Sequence, residues 1–196
     1  FDGATVTACT RCPELCESRS RIVNGVGPDD AALCFVGEAP GATEDERGEP
    51  FVGRSGDVLD DALADGELLR EDVRITNCVR CRPPDNRDPK AGELANCREH
   101  LARELDVVDP DVVVTLGKVP SQHLLERDVA ITSEAGDVHD VRVGDGQYRV
   151  VLSVHPAATL YDRSQRDTFT DAIAEAATLA GVETEDGGGQ SRLGEF

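Results

Sequence analysis

The sequence predicts an α/β fold with a mostly parallel sheet covered by helices on both faces, and three observations predict it. Strand-length apolar segments alternate along the chain with segments of helical spacing. Most of the strand segments are apolar throughout rather than alternating, the pattern of strands buried on both sides. They stop abruptly at Gly, Asn or His-Pro boundaries, and in such sheets ligands bind beyond the carboxyl ends of the strands. At 196 residues the chain can bury one large core without disulfides. A single domain is expected over residues 1–182. Residues 183–196, ETEDGGGQSRLGEF, are too Gly-rich and polar to pack and read as a disordered tail.

In chain order, CTRCPELCESRSRIVNGVGP carries Cys9 and Cys12 as a C-x2-C pair followed by a short charged helical turn. Residues 31–37, AALCFVG, form the first buried strand, ending at Glu38-Ala39-Pro40-Gly41. A short acidic helix over 42–47 leads into the loop GEPFVGRSG, and Val58, Leu59, Ala62 and Leu63 then fall at helical spacing. The second strand, residues 73–79 (VRITNCV), has β-branched residues at its centre. The turn CRPPDNRDP cannot be regular structure, because Pro83, Pro84 and Pro89 remove donors and force extended geometry. Leu94, Cys97, Leu101 and Leu105 then mark an amphipathic helix, with Cys97 on its inward face towards Cys81. Residues 111–116 form a third strand, closed by Gly117-Lys118 and followed by a helix to about 126. A hairpin over 138–143 and 147–154 ends at His155-Pro156, and a helix over 165–180 closes the core. No internal repeat is found.

Composition narrows the function. Net charge is −19, with 39 Asp and Glu against 20 Lys and Arg, of which only Lys90 and Lys118 are lysines. Such carboxylate density points to a halophilic origin, a cell with molar internal salt. By ordinary rules it argues against nucleic acid. In molar salt, however, the counterion-release term is largely gone, so a DNA contact would rest on local geometry. No apolar run approaches a membrane span, and the first residues lack the regions of a secretory signal, so a cytoplasmic protein is expected. The seven cysteines, an odd number without an export signal, favour reduced thiols and a metal site over a disulfide framework.

The four strand ends carry Glu38-Ala39-Pro40-Gly41, Asn77, Gly117-Lys118 and His155-Pro156, which therefore converge on one sheet edge. Asn77 can pair bidentately with adjacent C=O and N–H groups, as on a pyrimidine edge, or can simply satisfy backbone groups at a strand end. Phe51, in a Gly-flanked loop, can stack on a flat ring. His155 can donate to a developing anion or be a satisfied structural histidine. Glu38 is placed to orient a water or offset positive charge on a sugar. Cys9, Cys12, Cys81 and Cys97 can form a four-thiolate site for zinc or an iron–sulfur cluster. Cys16, one helical turn beyond Cys12, can compete as a ligand, whereas Cys34 and Cys78 sit within strands and read as core.

Taken together, GEAPG, PFVGRSG, ITN followed by CRPPDNR, TLG and HPAA, in order between Cys9 and about Leu160, resemble the family 4 uracil-DNA glycosylases, the iron–sulfur type. The resemblance implies a three-layer αβα sandwich around a four-stranded, mostly parallel sheet. It implies a [4Fe–4S] cluster on Cys9, Cys12, Cys81 and Cys97, with zinc the alternative occupant and Cys16 a non-ligand. Uracil in DNA would be flipped out, stacked on Phe51, read by Asn77, and cleaved from the sugar with help from Glu38 and His155. The backbone at Gly41, at Gly117 and Lys118, and at Pro156 and Ala157 would hold DNA phosphates. Two features depart from the family or its neighbours. An arginine often follows HPAA-x-L, but Tyr161-Asp162 intervene here before Arg163. The related proteins that trap their product covalently have a Gln in the first motif and a His-bearing insertion before PFVG, and neither is present.

The expected activity is monofunctional, because no lysine other than Lys118 lies near the pocket to form a Schiff base. The competing reading is a non-catalytic iron–sulfur or zinc-stabilised module that binds damaged DNA or a repair partner. The chain is expected to act as a monomer on uracil-containing DNA, with downstream repair proteins as possible partners.

Overall fold

The computed structural model describes residues 4–182; the tail expected over 183–196 lies outside the described residues. Five strands form one sheet in the order β2-β1-β3-β5-β4, with β1 Leu33–Gly37, β2 Arg74–Asn77, β3 Val112–Leu116, β4 Val138–Val143 and β5 Gly146–Ser153. β2, β1, β3 and β5 are parallel, and β4 is antiparallel to β5. The four expected parallel strands are therefore all present, and the outer arm of the hairpin adds a fifth at the edge. That arm alternates between exposed and buried positions, as an edge strand wet on one face does, while every residue of β1 and β3 is buried.

Successive side chains of a strand point to opposite faces, and the two faces build separate cores. Leu33 and Phe35 of β1, with Val112 and Val114 of β3, pack under α3 (Arg54–Asp65) and α7 (Ser164–Leu179). Cys34 and Val36, with Val113, Val150 and Leu152, pack under α4 (Ala91–Val108) and α5 (Lys118–Leu125). The result is the three-layer sandwich. Cys34 and Cys78 belong to this second core, and burial pushes both thiols well up. Two short helices, α1 (Pro13–Ser18) and α2 (Ala42–Arg47), flank the sheet edge where β1 ends. A further one, α6 (Ile131–Glu134), was not expected: four residues carry no apolar periodicity to read. Among the described residues, no helix is long and apolar enough to cross a membrane.

β2 is short and lies at an edge, yet it is anchored from three directions. Ile75 exchanges backbone hydrogen bonds of 2.9 Å with Val26, which covers the strand's outer side. Beneath it, the fully buried Glu104 of α4 accepts from Arg74 Nε at 2.8 Å, from Arg74 Nη2 at 2.6 Å, from Thr76 Oγ1 at 2.7 Å and from Arg80 Nη2. Arg74 also donates to the carbonyls of Gly25 and Gly27. One carboxylate thus fastens β2, the turn after it and the covering segment to one helix. Glu104→Ala leaves two buried guanidiniums uncompensated and is expected to cost about 3–5 kcal/mol, read as a lowered urea midpoint.

Candidate active site

The carboxyl ends of the parallel strands open on a cleft of about 270 Å³, walled by Glu38, Phe51, Asn77 and His155 and rimmed by Gly41, Glu44, Ser55 and Asn86. That size suits one flat ring. Asn77, the last residue of β2, lies beside Gly37 in the parallel register and is only 4% exposed. Among the described residues its amide has no hydrogen-bond partner. The amide of this largely buried residue is therefore not spent on neighbouring backbone, and it opens onto the cleft, where it is free to meet a polar ligand. Gly37 makes this possible: a Cβ there would lie 2.4 Å from Asn77 Oδ1 and 2.5 Å from the Phe51 ring.

Phe51 is buried and belongs to the α3/α7 core, and it also lines the cleft. Its φ of 52° puts a bulky residue in the left-handed region, strain of the kind that surrounding structure must hold in place. Its ring centroid lies 6.1 Å from that of His155, tilted by 33°. His155 opens the 3-10 turn Pro156–Leu160, and its Nδ1 accepts the Ala157 N–H at 3.1 Å. An accepting Nδ1 leaves the proton of the neutral ring on Nε2. Burial lowers the His155 pKa, which keeps that ring neutral. Across the cleft, burial and then the charge of Asp88 push the Glu38 carboxyl up to about 7.

The cysteine segments meet beside this cleft. Leu15 of α1 packs with Val79 and Cys81, and Cys12, Cys97 and Ala39 pack against them. Cys81 Sγ accepts from Arg19 Nη1 at 2.8 Å, and Cys12 Sγ accepts from Asn96 Nδ2 at 3.4 Å. The Arg80 backbone N–H points at Cys97. Cys16 behaves differently: its thiol donates to the Cys9 carbonyl at 3.4 Å. Burial pushes the Cys97 thiol up to about 11 and raises that of Cys81, where Arg19 opposes the shift.

A cleft of this build at the sheet edge coincides with similarity along most of the chain. Residues 24–177 match the model of the Uracil DNA glycosylase superfamily. The chain belongs to the uracil-DNA glycosylase superfamily. It is 38% identical over 180 residues to the type-4 uracil-DNA glycosylase of Archaeoglobus fulgidus, covering 90% of each chain. It is also 40% identical over 160 residues to the type-4 uracil-DNA glycosylase of Thermotoga maritima, covering 81% of each. A type-5 uracil-DNA glycosylase of Pyrobaculum aerophilum is 32% identical over 205 residues.

Within this superfamily member, the backbone amides expected to meet phosphates already have acceptors. Gly41 donates to Glu44 Oε2 at 3.1 Å, Gly117 to the Ser153 carbonyl at 2.9 Å, and Ala157 to His155. Gly117, at φ 108°, instead lets the chain pass close to His155, since a Cβ would sit 3.1 Å from the His155 Cβ. Pro156 is buried, while Lys118 is exposed at the start of α5. Beyond the turn, Leu160 and Tyr161 are 41% and 84% exposed. Sequence reading missed Glu44, Ser55 and Asn86. Asn86 lay in view within CRPPDNR but read as a turn former; Asp85 and Asn86 are both left-handed, at φ 55° and 53°, and Arg82 Nε holds Asn86 Oδ1 at 2.7 Å. By nitrogen NMR, His155 should show the Nε2–H tautomer and titrate below the ordinary histidine range; an Nδ1–H ring would contradict the Ala157 bond.

Proposed function

We propose that this protein hydrolyses the N-glycosidic bond of deoxyuridine in DNA and leaves an abasic site. The observation that carries the reading is one cleft lined by the Asn77 amide, which has no protein partner among the described residues, the Phe51 ring and the neutral His155. A base reaches such a cleft only by leaving the helix stack, at a cost of a few kcal/mol that is lowest for mispaired uracil. The flipped ring stacks on Phe51. Asn77 Oδ1 accepts from the uracil N3–H and Nδ2 donates to O4. His155 Nε2–H donates to O2, where negative charge gathers as the C1′–N1 bond breaks, and a fixed donor at that atom favours the transition state over the ground state. The ionised Glu38 offsets the positive sugar and takes a proton from the water that adds to C1′. Asn86, clamped by Arg82, helps hold that water. Lys118 is exposed at the start of α5 and does not line the cleft, so strand cleavage is not expected.

Cys9, Cys12, Cys81 and Cys97 would hold a [4Fe–4S] cluster. The donor set is soft, and three of its sulfurs face N–H donors, as sulfurs carrying negative charge do. Cys16 acts as a hydrogen donor, which suits a protonated non-ligand. When bound, the cluster cross-links the N-terminal pair, the turn after β2 and α4. The reading extends to one catalytic domain through residue 182 and to a halophilic origin, for which the −19 charge is the support. With the amides of Gly41, Gly117 and Ala157 engaged locally, phosphate contact would fall to side chains such as Lys118 and to the loop carrying Leu160 and Tyr161.

A uracil-containing oligonucleotide, incubated with the protein across a salt series, should acquire alkali-labile sites and stay intact before alkali. Retention of the oligonucleotide without base release under every salt condition would instead support a binding module. Asn77→Ala and His155→Ala should each lower kcat by roughly 10²–10³-fold in protein that keeps its colour and Tm, whereas Cys81→Ser should lose colour and Tm together. Because only ionised Glu38 serves the sugar and its carboxyl titrates at about 7, kcat should rise with pH through neutrality. Glu38→Gln should abolish that limb, and a limb that survives the substitution would assign it to another group.

A further inference from the structure

Two buried or half-buried charged side chains are used neither by the cleft chemistry nor by the Glu104 cluster, and they flank one three-residue segment. Arg19 closes α1, its N–H bonded to the Leu15 carbonyl at 3.0 Å. Its guanidinium reaches back to Cys81 Sγ at 2.8 Å and to the Cys9 carbonyl at 2.7 Å, so one planar fork spans segments 62 and 10 residues away. The next two residues run onto α2. Asp45, 2% exposed, accepts the Ser20 N–H at 2.9 Å through both carboxylate oxygens, and Arg21 N–H at 3.4 Å. A carboxylate buried against backbone amides alone is costly to move, because each lost bond leaves buried charge unsatisfied. α2 is also the helix that begins at Gly41 on the cleft rim and carries Glu44, whose side chain caps Gly41 and lines the cleft.

We infer that residues 19–21 form a strap joining the cysteine centre to the catalytic cleft, with Arg19 as the clasp on the sulfur side and Asp45 as the anchor on the cleft side. The inference rests on the reading of Cys9, Cys12, Cys81 and Cys97 as cluster ligands. Arg19 is a positioning residue: its charge offsets that of the Cys81 sulfur, and its second branch ties the Cys9 segment to the same point. Lysine cannot replace it fully, since a single ammonium does not reproduce the fork. Through Ser20 and Asp45, loosening of the centre reaches α2 and the Gly41–Glu44 rim. The two ends are thereby coupled without any contact between the cluster ligands and the reacting base.

The test uses the whole protein purified without added metal, with iron content, visible absorbance, amide hydrogen exchange in α2, and kcat and KM read on wild type, Arg19→Gln, Arg19→Lys and Asp45→Asn. Arg19→Gln should lose its absorbance to a chelator roughly 10-fold faster than wild type, with Arg19→Lys in between, and α2 amides should exchange faster in both. Asp45→Asn should keep its iron and absorbance, yet show the same faster exchange in α2 and a raised KM. Combining Arg19→Gln with Asp45→Asn should add little to α2 exchange, since each opens the same strap. If Arg19→Gln bleaches quickly while α2 exchange and KM stay at wild-type values, the centre and the cleft are independent and the strap is refuted. Unchanged bleaching in a brown Arg19→Gln protein refutes the clasp. A colourless, iron-free wild type would instead overturn the ligand reading itself, and the strap with it.

Discussion

One buried carboxylate holds the edge of the candidate active site and the turn that carries Cys81. Glu104, without solvent contact, is held by Arg74 and Thr76 of β2 and by Arg80 in the turn beyond it. Asn77 lies between Thr76 and Arg80 in sequence, and Cys81 follows directly, so the carboxylate sets where the Asn77 amide and a cysteine of the proposed cluster stand relative to α4, which brings Cys97. A four-residue edge strand has few ladder bonds of its own to define its register. Ion pairs buried this deeply bring little net stability over a well-packed apolar alternative, because desolvation offsets most of the attraction. Their value here is geometric: Glu104 can satisfy both guanidiniums only in one arrangement of strand, turn and helix.

Part of the molecule's unusual backbone geometry lies at the cleft. Phe51, Asp85 and Asn86 adopt left-handed backbone conformations that such residues seldom choose, and all three sit on the two loops that close over the strand ends. The surroundings hold them there: the core grips Phe51 from behind, Pro83 and Pro84 restrict the second loop, and Arg82 and Arg87 pin its side chains and those of α4. Preorganised groups cost no rearrangement when charge develops. Electrostatics follow the same division. A neutral histidine and a carboxyl titrating at about 7 face each other across an otherwise strongly acidic protein, and each is displaced from its ordinary range chiefly by burial.

Much of this was legible before any coordinates. Continuous apolar runs at residues 31–37 and 111–116 could only be buried strands, and alternation with helical spacing implied parallel connections. From parallel strands it follows that Glu38, Asn77, Gly117 and His155 share an edge, because ligand sites in such sheets form at the carboxyl ends. The odd cysteine count and the polar setting of Cys9 and Cys12 are the sequence's grounds for the metal site proposed above. Position in the chain was enough for these conclusions because strand alternation and topology turn sequence order directly into spatial order.

The tertiary structure decided what depends on which atoms actually meet. Whether the Asn77 amide is satisfied by neighbours, which nitrogen of His155 carries the proton, and whether Cys16 accepts or donates are matters of a few tenths of an ångström in how neighbouring groups meet. The backbone amides of Gly41, Gly117 and Ala157 illustrate the same limit, since their acceptors come from local folds that residue types do not announce. Asn86 and Asp45 escaped for a related reason: a polar residue in a turn or a short acidic helix reads as solvated surface until packing shows it clamped or buried. The sequence by itself determined the architecture and the sheet edge that carries the candidate site; hydrogen-bond partnership, set by local turns and by packing that residue types do not announce, decided what each group at that edge is able to do.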